Sequence, residues 1–163
     1  MRLESIQISL IQPEDSQELG ALIKKVLEEM NAPKTGTAYA DPYLFDLYSY
    51  YNHPRRDYYV IRYNGELLGG GGYGDLPGSP EEVCEIQKMY FDPKLRGKGV
   101  GKRLLLKLIE ESKRAGYKKA YIETLPQMKS AIGLYEHLGF TYLDGPLGGT
   151  GHTSCPIHLI LEI

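Results

Sequence analysis

Residues 5–10 alternate polar and apolar side chains, the period of a half-buried strand. Beyond Pro13, residues Leu19, Leu22, Ile23, Val26, Leu27 and Met30 recur at intervals of three and four, which predicts a helix opened by that proline. Residues 31–42 read as loop, and a short helix is expected over 43–51. A β-rich run at 57–63 precedes Asn64-Gly65, a tight-hairpin signal, and 66–74 returns as a strand. That strand contains Gly69 to Gly72 in succession, which points to a bulge or to a group packed close against the backbone. Residues 82–91 form the next strand, ended by Asp92-Pro93. A stripe of Val100, Leu104, Leu105, Leu108 and Ile109 marks a helix over 99–115, with Gly116 as its stop. A strand at 118–124, a helix at 127–138 stopped by Gly139, and strands at 140–143 and 157–162 complete the order. Strands and helices mixed in this way predict an α/β or α+β domain.

Composition narrows the possibilities. The 163 residues suit a single domain, and 42% hydrophobic with 25% charged residues suits a folded globular chain. A net charge of −2 gives no support for nucleic-acid binding. No apolar run reaches the ~18 residues of a membrane span, and the acidic first twenty residues do not resemble a secretory signal. Two cysteines, Cys84 and Cys155, are too few for a disulfide framework, so a cytoplasmic location is expected.

The most informative segment is Arg96-Gly97-Lys98-Gly99-Val100-Gly101-Lys102. It joins a strand to a helix, so backbone N–H groups and the positive helix end converge on one point, an anion site. Lys94, Arg96, Lys98, Lys102 and Arg103 surround it, which fits a polyphosphate ligand. Neither common nucleotide motif fits. A P-loop requires glycine where Arg96 stands and Ser or Thr where Arg103 stands. The spacing is G-x-G-x-G, not the dinucleotide G-x-G-x-x-G, and several strands come first.

These residues resemble the GNAT superfamily of acetyl-CoA-dependent N-acetyltransferases. The signature [Q/R]-x-x-G-x-[G/A] is matched by Arg96 to Gly101, and A-x-x-L-Y-x-x-x-G-F by Ala131 to Phe140. The resemblance covers nearly the whole chain and is most specific from Glu82 to Tyr142. It implies a mixed, mostly antiparallel central sheet of about seven strands flanked by about four helices. It implies that the backbone of 96–101, with Lys102, holds the pyrophosphate of coenzyme A, and that the pantetheine arm pairs with the main chain of Met89, Tyr90 and Phe91. The arm would enter where this strand splays from the strand at 118–124. Many relatives carry Asn where Met128 stands, so that contact is either missing or supplied by Gln127 or Ser130.

The chemistry expected is direct attack of an amine on the thioester. Tyr135 is the candidate general acid for the departing thiolate; the bland alternative is a core aromatic. Glu85 is the candidate general base. Period-two alternation puts it on one face with Gln87, Met89 and Phe91, and the bland alternative is a carboxylate paired to Lys88 or another lysine. N–H groups at a bulge near Tyr90 would polarise the carbonyl. The spacing His152-x-x-Cys155-x-x-His158 is weak as a metal motif, and no metal is expected; the alternative reading of His152 is that it lines the acceptor cleft. Tyr39, Tyr43, Tyr48, Tyr50 and Tyr51 either wall that cleft or belong to core and surface. Arg55 and Arg56 either clamp an acceptor carboxylate or form a solvated pair. The expected acceptor is the primary amine of a small molecule. A protein or peptide amine, and a non-catalytic acyl-CoA sensor, are the alternatives. Relatives are often dimers, and a homodimer is compatible with the sequence.

Overall fold

A computed structural model describes residues 1–80 and 82–163. Its elements run β1 (Ile6–Leu10), α1 (Asp15–Glu29), α2 (Leu47–Tyr51), β2 (Asp57–Tyr63), β3 (Glu66–Asp75), β4 (Val83–Phe91), α3 (Val100–Arg114), β5 (Lys119–Thr124), α4 (Lys129–His137), β6 (Thr141–Tyr142) and β7 (Ile157–Glu162). The seven strands form one sheet in the order β1-β2-β3-β4-β5-β7-β6. Every neighbouring pair is antiparallel except β4 and β5. This is the mixed sheet with four helices that the resemblance implied.

Boundaries shift where side chains intervene. Pro13 does not open α1; it lies in a turn, and Asp15 begins the helix, its carboxylate accepting from the N–H of Gln12 at 2.8 Å. The second helix starts at Leu47 rather than 43, because residues 42–45 turn and bring the Tyr43 ring parallel to Tyr50, 4.1 Å between centroids.

The apolar stripes divide between the two faces of the sheet. Leu104, Leu105 and Leu108 of α3 pack with Tyr59, Ile61, Cys84 and Ile86. Leu19, Ile23 and Leu27 of α1 pack on the other face with Leu47, Tyr51, Tyr58 and Val60. The glycine run of β3 serves this packing. A Cβ at Gly70 would stand 2.5 Å from the Tyr58 ring, and one at Gly71 2.6 Å from Met89 Cγ, so both close approaches require the missing side chain.

Two irregularities in β4 shape the centre of the sheet. Gly70 pairs with Tyr90 and Gly72 with Gln87, so Lys88 and Met89 together oppose Gly71. This is a β-bulge, with Lys88 at φ 49°, a conformation few non-glycine residues adopt. On its other edge β4 pairs with β5 only from Val83 to Glu85. Beyond Glu85 the two strands part, and β5 continues its pairing with β7 instead, as far as Thr124.

Candidate active site

Two cavities adjoin the outer half of β4, where it has parted from β5. The larger, about 350 Å³, lies between the end of β4, the 96–102 turn and α4. Met89, Tyr90, Phe91, Arg96, Gly97, Gly99, Val100, Gly101 and Lys102 all line it. Lys98 does not; it stands exposed at the tip of the turn. Gly97 and Gly99 have φ of 72° and 73°, which lets the chain reverse just before α3. The first intrahelical donor is Arg103, to the Gly99 carbonyl at 3.1 Å, so the N–H groups of the preceding turn of α3 have no helical acceptor. They form a ready site for phosphate oxygens. Arg96 reinforces the turn: its guanidinium donates to the Phe91 carbonyl at 3.0 and 3.2 Å and reaches Glu29 at 3.3 Å. Gln127 and Ser130 both line the cavity beside Met128, and each offers a polar group there.

The smaller cavity, about 60 Å³, runs from Tyr135 to Glu85 and is walled by Gln87, Lys88, Glu123, His152 and Cys155, among others. Met89, Tyr90, Met128, Ala131 and Tyr135 border both cavities, so Tyr135 stands at their junction. The Tyr135 side chain is 5% exposed, and its hydroxyl makes no hydrogen bond among the described residues. Burial alone pushes its pKa up to about 12.

Glu85 is buried at the far end. Its Oε1 accepts from Gln87 Nε2 at 2.8 Å, and Gln87 Oε1 accepts from the Tyr51 hydroxyl at 2.7 Å. Burial raises the Glu85 pKa to about 7, with the Glu123 charge adding to it and Gln87, His152 and Lys88 opposing. The alternative reading of Glu85, a pairing with Lys88, is not formed: Lys88 turns instead to Asp41, Nζ to Oδ2 2.7 Å, with the Lys88 side chain 2% exposed.

The bulge corrects one sequence expectation. Glu85 and Met89 do not share a face. Met89 and Phe91 pack with Cys84 and Ile86 on the α3 side, whereas Gln87 meets Tyr51, Lys88 meets Tyr43 and Tyr90 packs on the α1–α2 side. The extra residue at Lys88 breaks the period of two.

His152 lines the smaller cavity, its Nε2 3.0 and 3.2 Å from the two oxygens of Asp41. Cys155 lines it as well, but His158 lies in β7 opposite Glu123, with its ring parallel to that of Tyr121. A different trio comes together: ligand-type atoms of Glu85, Glu123 and His152 lie within 4.8 Å of one another. Each of the three already has polar partners. Glu123 accepts from the Tyr121 and Thr150 hydroxyls at 2.7 and 2.5 Å, Glu85 from Gln87, and His152 is tied to Asp41.

None of Tyr39, Tyr43, Tyr48, Tyr50 and Tyr51 lines either cavity; they pack over the sheet, with Tyr51 supporting Gln87. Arg56 is held by Asp75 at 2.6 Å, and the Arg55 guanidinium lies 4.2 Å from the Tyr117 ring centroid. Neither arginine lines the cavities, so the clamp reading is set aside. Sequence reasoning missed Asp41, Lys88 and Glu123. Glu123 had a signal, a carboxylate directly following the apolar run Ala120-Tyr121-Ile122; Asp41, in a loop, had none.

A mixed sheet split at its parallel pair, with an anion-binding turn at one end and buried acid–base groups at the other, defines a class of acyl-CoA-dependent transferases. The sequence model of the Acetyltransferase (GNAT) family matches residues 23–140. An uncharacterized N-acetyltransferase of Escherichia coli, YjgM, is 43% identical over 152 residues, 92% of this chain and 90% of that protein. A GNAT-family acetyltransferase from Staphylococcus aureus superposes with a TM-score of 0.77 at 21% identity, covering 96% of this chain and 98% of that one. YncA of Salmonella typhimurium, a putative acetyltransferase solved with acetyl-CoA, gives 0.76 at 21% identity, covering 96% and 93%. The chain belongs to the GNAT family, as an acetyl-CoA-dependent N-acetyltransferase. Among the described residues no helix is long and apolar enough to cross a membrane.

Proposed function

We propose that the protein moves the acetyl group of acetyl-CoA to the primary amine of a small cytoplasmic molecule, by direct attack within a ternary complex. The observation that carries this reading is the meeting of the two cavities at Tyr135, with Glu85 at the opposite end of the smaller one. The pyrophosphate rests on the N–H groups at the start of α3, and the arm follows Met89 to Phe91 toward Tyr135. The acceptor enters from the Glu85 side.

An alkyl ammonium has a pKa of ~10.4, so it must lose a proton before it attacks. Glu85, at about 7, is the base. The transfer from such an ammonium costs about 4.6 kcal/mol, within what acetyl transfer tolerates once the amine is positioned. The N–C bond forms as the C–S bond breaks, and the thiolate takes the Tyr135 proton. A free thiol at ~8.5 is a stronger acid than this phenol, but the burial that raises Tyr135 raises the thiol as well, which narrows the gap. Backbone N–H groups of the Lys88–Met89 bulge are the candidates to polarise the carbonyl.

The test is coenzyme A release from acetyl-CoA across amino acids, polyamines, aminoglycosides and short peptides, with Y135F alongside. Turnover of one small-amine class, reduced in Y135F, supports the reading. Turnover of peptides alone would replace the acceptor assignment, and tight acetyl-CoA binding without any turnover would point to a sensor.

A further inference from the structure

Glu85 is buried, so a proton it accepts needs a route out, and the amine-acetylation reading above does not supply one. We propose that His152, held by Asp41, carries away the proton that Glu85 takes from the acceptor ammonium.

Three observations converge. First, a ring nitrogen of His152 is within 4.8 Å of the Glu85 carboxylate, a distance one water spans, and the relay assigns that place to Nδ1 because Nε2 is engaged by Asp41. Second, Gln87 occupies Glu85 Oε1, which leaves Oε2 as the oxygen available for exchange. Third, Asp41 fixes the imidazole. As a carboxylate it accepts only, so Nε2 carries the proton that faces it and Nδ1 is the nitrogen open to protonation. The order of bonds is simple. The ammonium N–H breaks and an O–H forms on Glu85; that O–H breaks and an N–H forms on His152 Nδ1; the imidazolium then releases the proton to solvent.

The charged groups around the imidazole bear on whether it accepts the proton. Asp41 from the segment before α2, Glu85 and Lys88 from β4, and Glu123 from β5 all face it, with the Cys155 thiol on its own segment. Burial opposes protonation of His152, but the Asp41 hydrogen bond and charge outweigh it, and its pKa rises above 6.5. Burial lifts the Glu85 carboxyl to about 7, so both groups take up a proton more readily than their free counterparts. Lys88 and His152 share Asp41, which keeps that carboxylate ionised; despite its burial its pKa is held below the usual value. His152 is a relay by this account, acting through Glu85 and not on the acceptor.

The experiment compares wild type, H152Q and H152A across pH with an amine that wild type acetylates, with and without added imidazole. Both variants should lose roughly 10–100-fold in kcat. The acid limb of kcat/KM should move to higher pH, because the imidazolium no longer favours ionised Glu85. Imidazole should restore H152A toward wild type. A structural role would lower Tm without moving the limb and without rescue. Variants with wild-type kcat and an unmoved limb, or a loss that imidazole does not restore, overturn the relay. Nitrogen-15 shifts of His152 in the wild-type protein give a reading independent of activity and of variant folding: Nε2–H is expected, and Nδ1–H overturns the relay. Wild type that releases no coenzyme A with any amine defeats the acetylation reading itself, whereas an active wild type with unaffected His152 variants defeats the relay alone.

Discussion

Gln87 Nε2 stands 2.8 Å from Glu85 Oε1, and the Tyr51 hydroxyl fixes which end of the Gln87 amide points there. The amide thus favours the ionised carboxylate against the burial that disfavours it. Removing the amide in Q87L should raise the Glu85 pKa above about 7, and the acid limb of the kcat/KM profile should shift to higher pH. A pH–rate comparison of the two proteins checks the direction; an unmoved limb would show that another group titrates.

Glu85 also links pH to stability. Its folded pKa, about 7, lies above the ordinary 4.5, so the unfolded chain binds fewer protons in that window. The burial penalty is absent below pH 4.5, grows as pH rises, and is complete above about 7, where it reaches roughly 3 kcal/mol. E85Q should therefore be more stable than wild type at pH 8, with the gain fading at pH 4–5. Its kcat at pH 7.5 should fall about 100-fold. Denaturant melts at the two pH values and one rate assay test both statements.

Tyr135→Phe should separate function from folding. The hydroxyl has no partner among the described residues, so its removal should change Tm little. The rate should fall by about 100-fold, since the thiolate loses its proton donor. A large drop in Tm with an unchanged rate would assign Tyr135 to the core alone.

Gly99 caps α3 at φ 73° with nothing within 4 Å of where a Cβ would lie. G99A meets no clash, so its cost is conformational, about 1–2 kcal/mol. A turn relaxed to relieve that strain should also bind coenzyme A roughly tenfold more weakly. Calorimetry of coenzyme A binding, set beside a thermal melt, distinguishes the two effects.

Lys88→Met leaves Asp41 buried with only His152 as its ionic partner. The expected loss of stability is about 3 kcal/mol at pH 8 and less at pH 6, where more of the imidazole is charged. Equal losses at both pH values would contradict the shared role of Asp41.

Local patterns carried most of the fold to the reader of the sequence. The stripe from Val100 to Ile109 and the alternation at 57–63 each announce an element because packing rewards a fixed period. The anion-binding turn was legible for a different reason: Gly97 and Gly99 adopt positive φ, and a sequence displays that need as glycine. A bulge near Tyr90 was expected, but Lys88 adopts positive φ without being glycine, so its exact place was not marked and Met89 was put on the face of Glu85. Asp41 and His152 are 111 residues apart and meet only through the tertiary fold. The tyrosines of 39–51 look alike in sequence, and only their packing shows that they support the sheet instead of walling the cleft.

The bulge at Lys88 divides labour along a single strand. Met89 and Phe91 turn to one side of the sheet, Gln87 and Lys88 to the other. The larger cavity draws no residue from 31–42 or 145–156, while the smaller one takes Ala38, His152 and Cys155 from those loops. On the proposed reading, substitutions in the loops can therefore remodel the mouth assigned to the acceptor and leave the seat assigned to the thioester in place. A lineage is free to exchange one amine for another while its hold on coenzyme A stays constant.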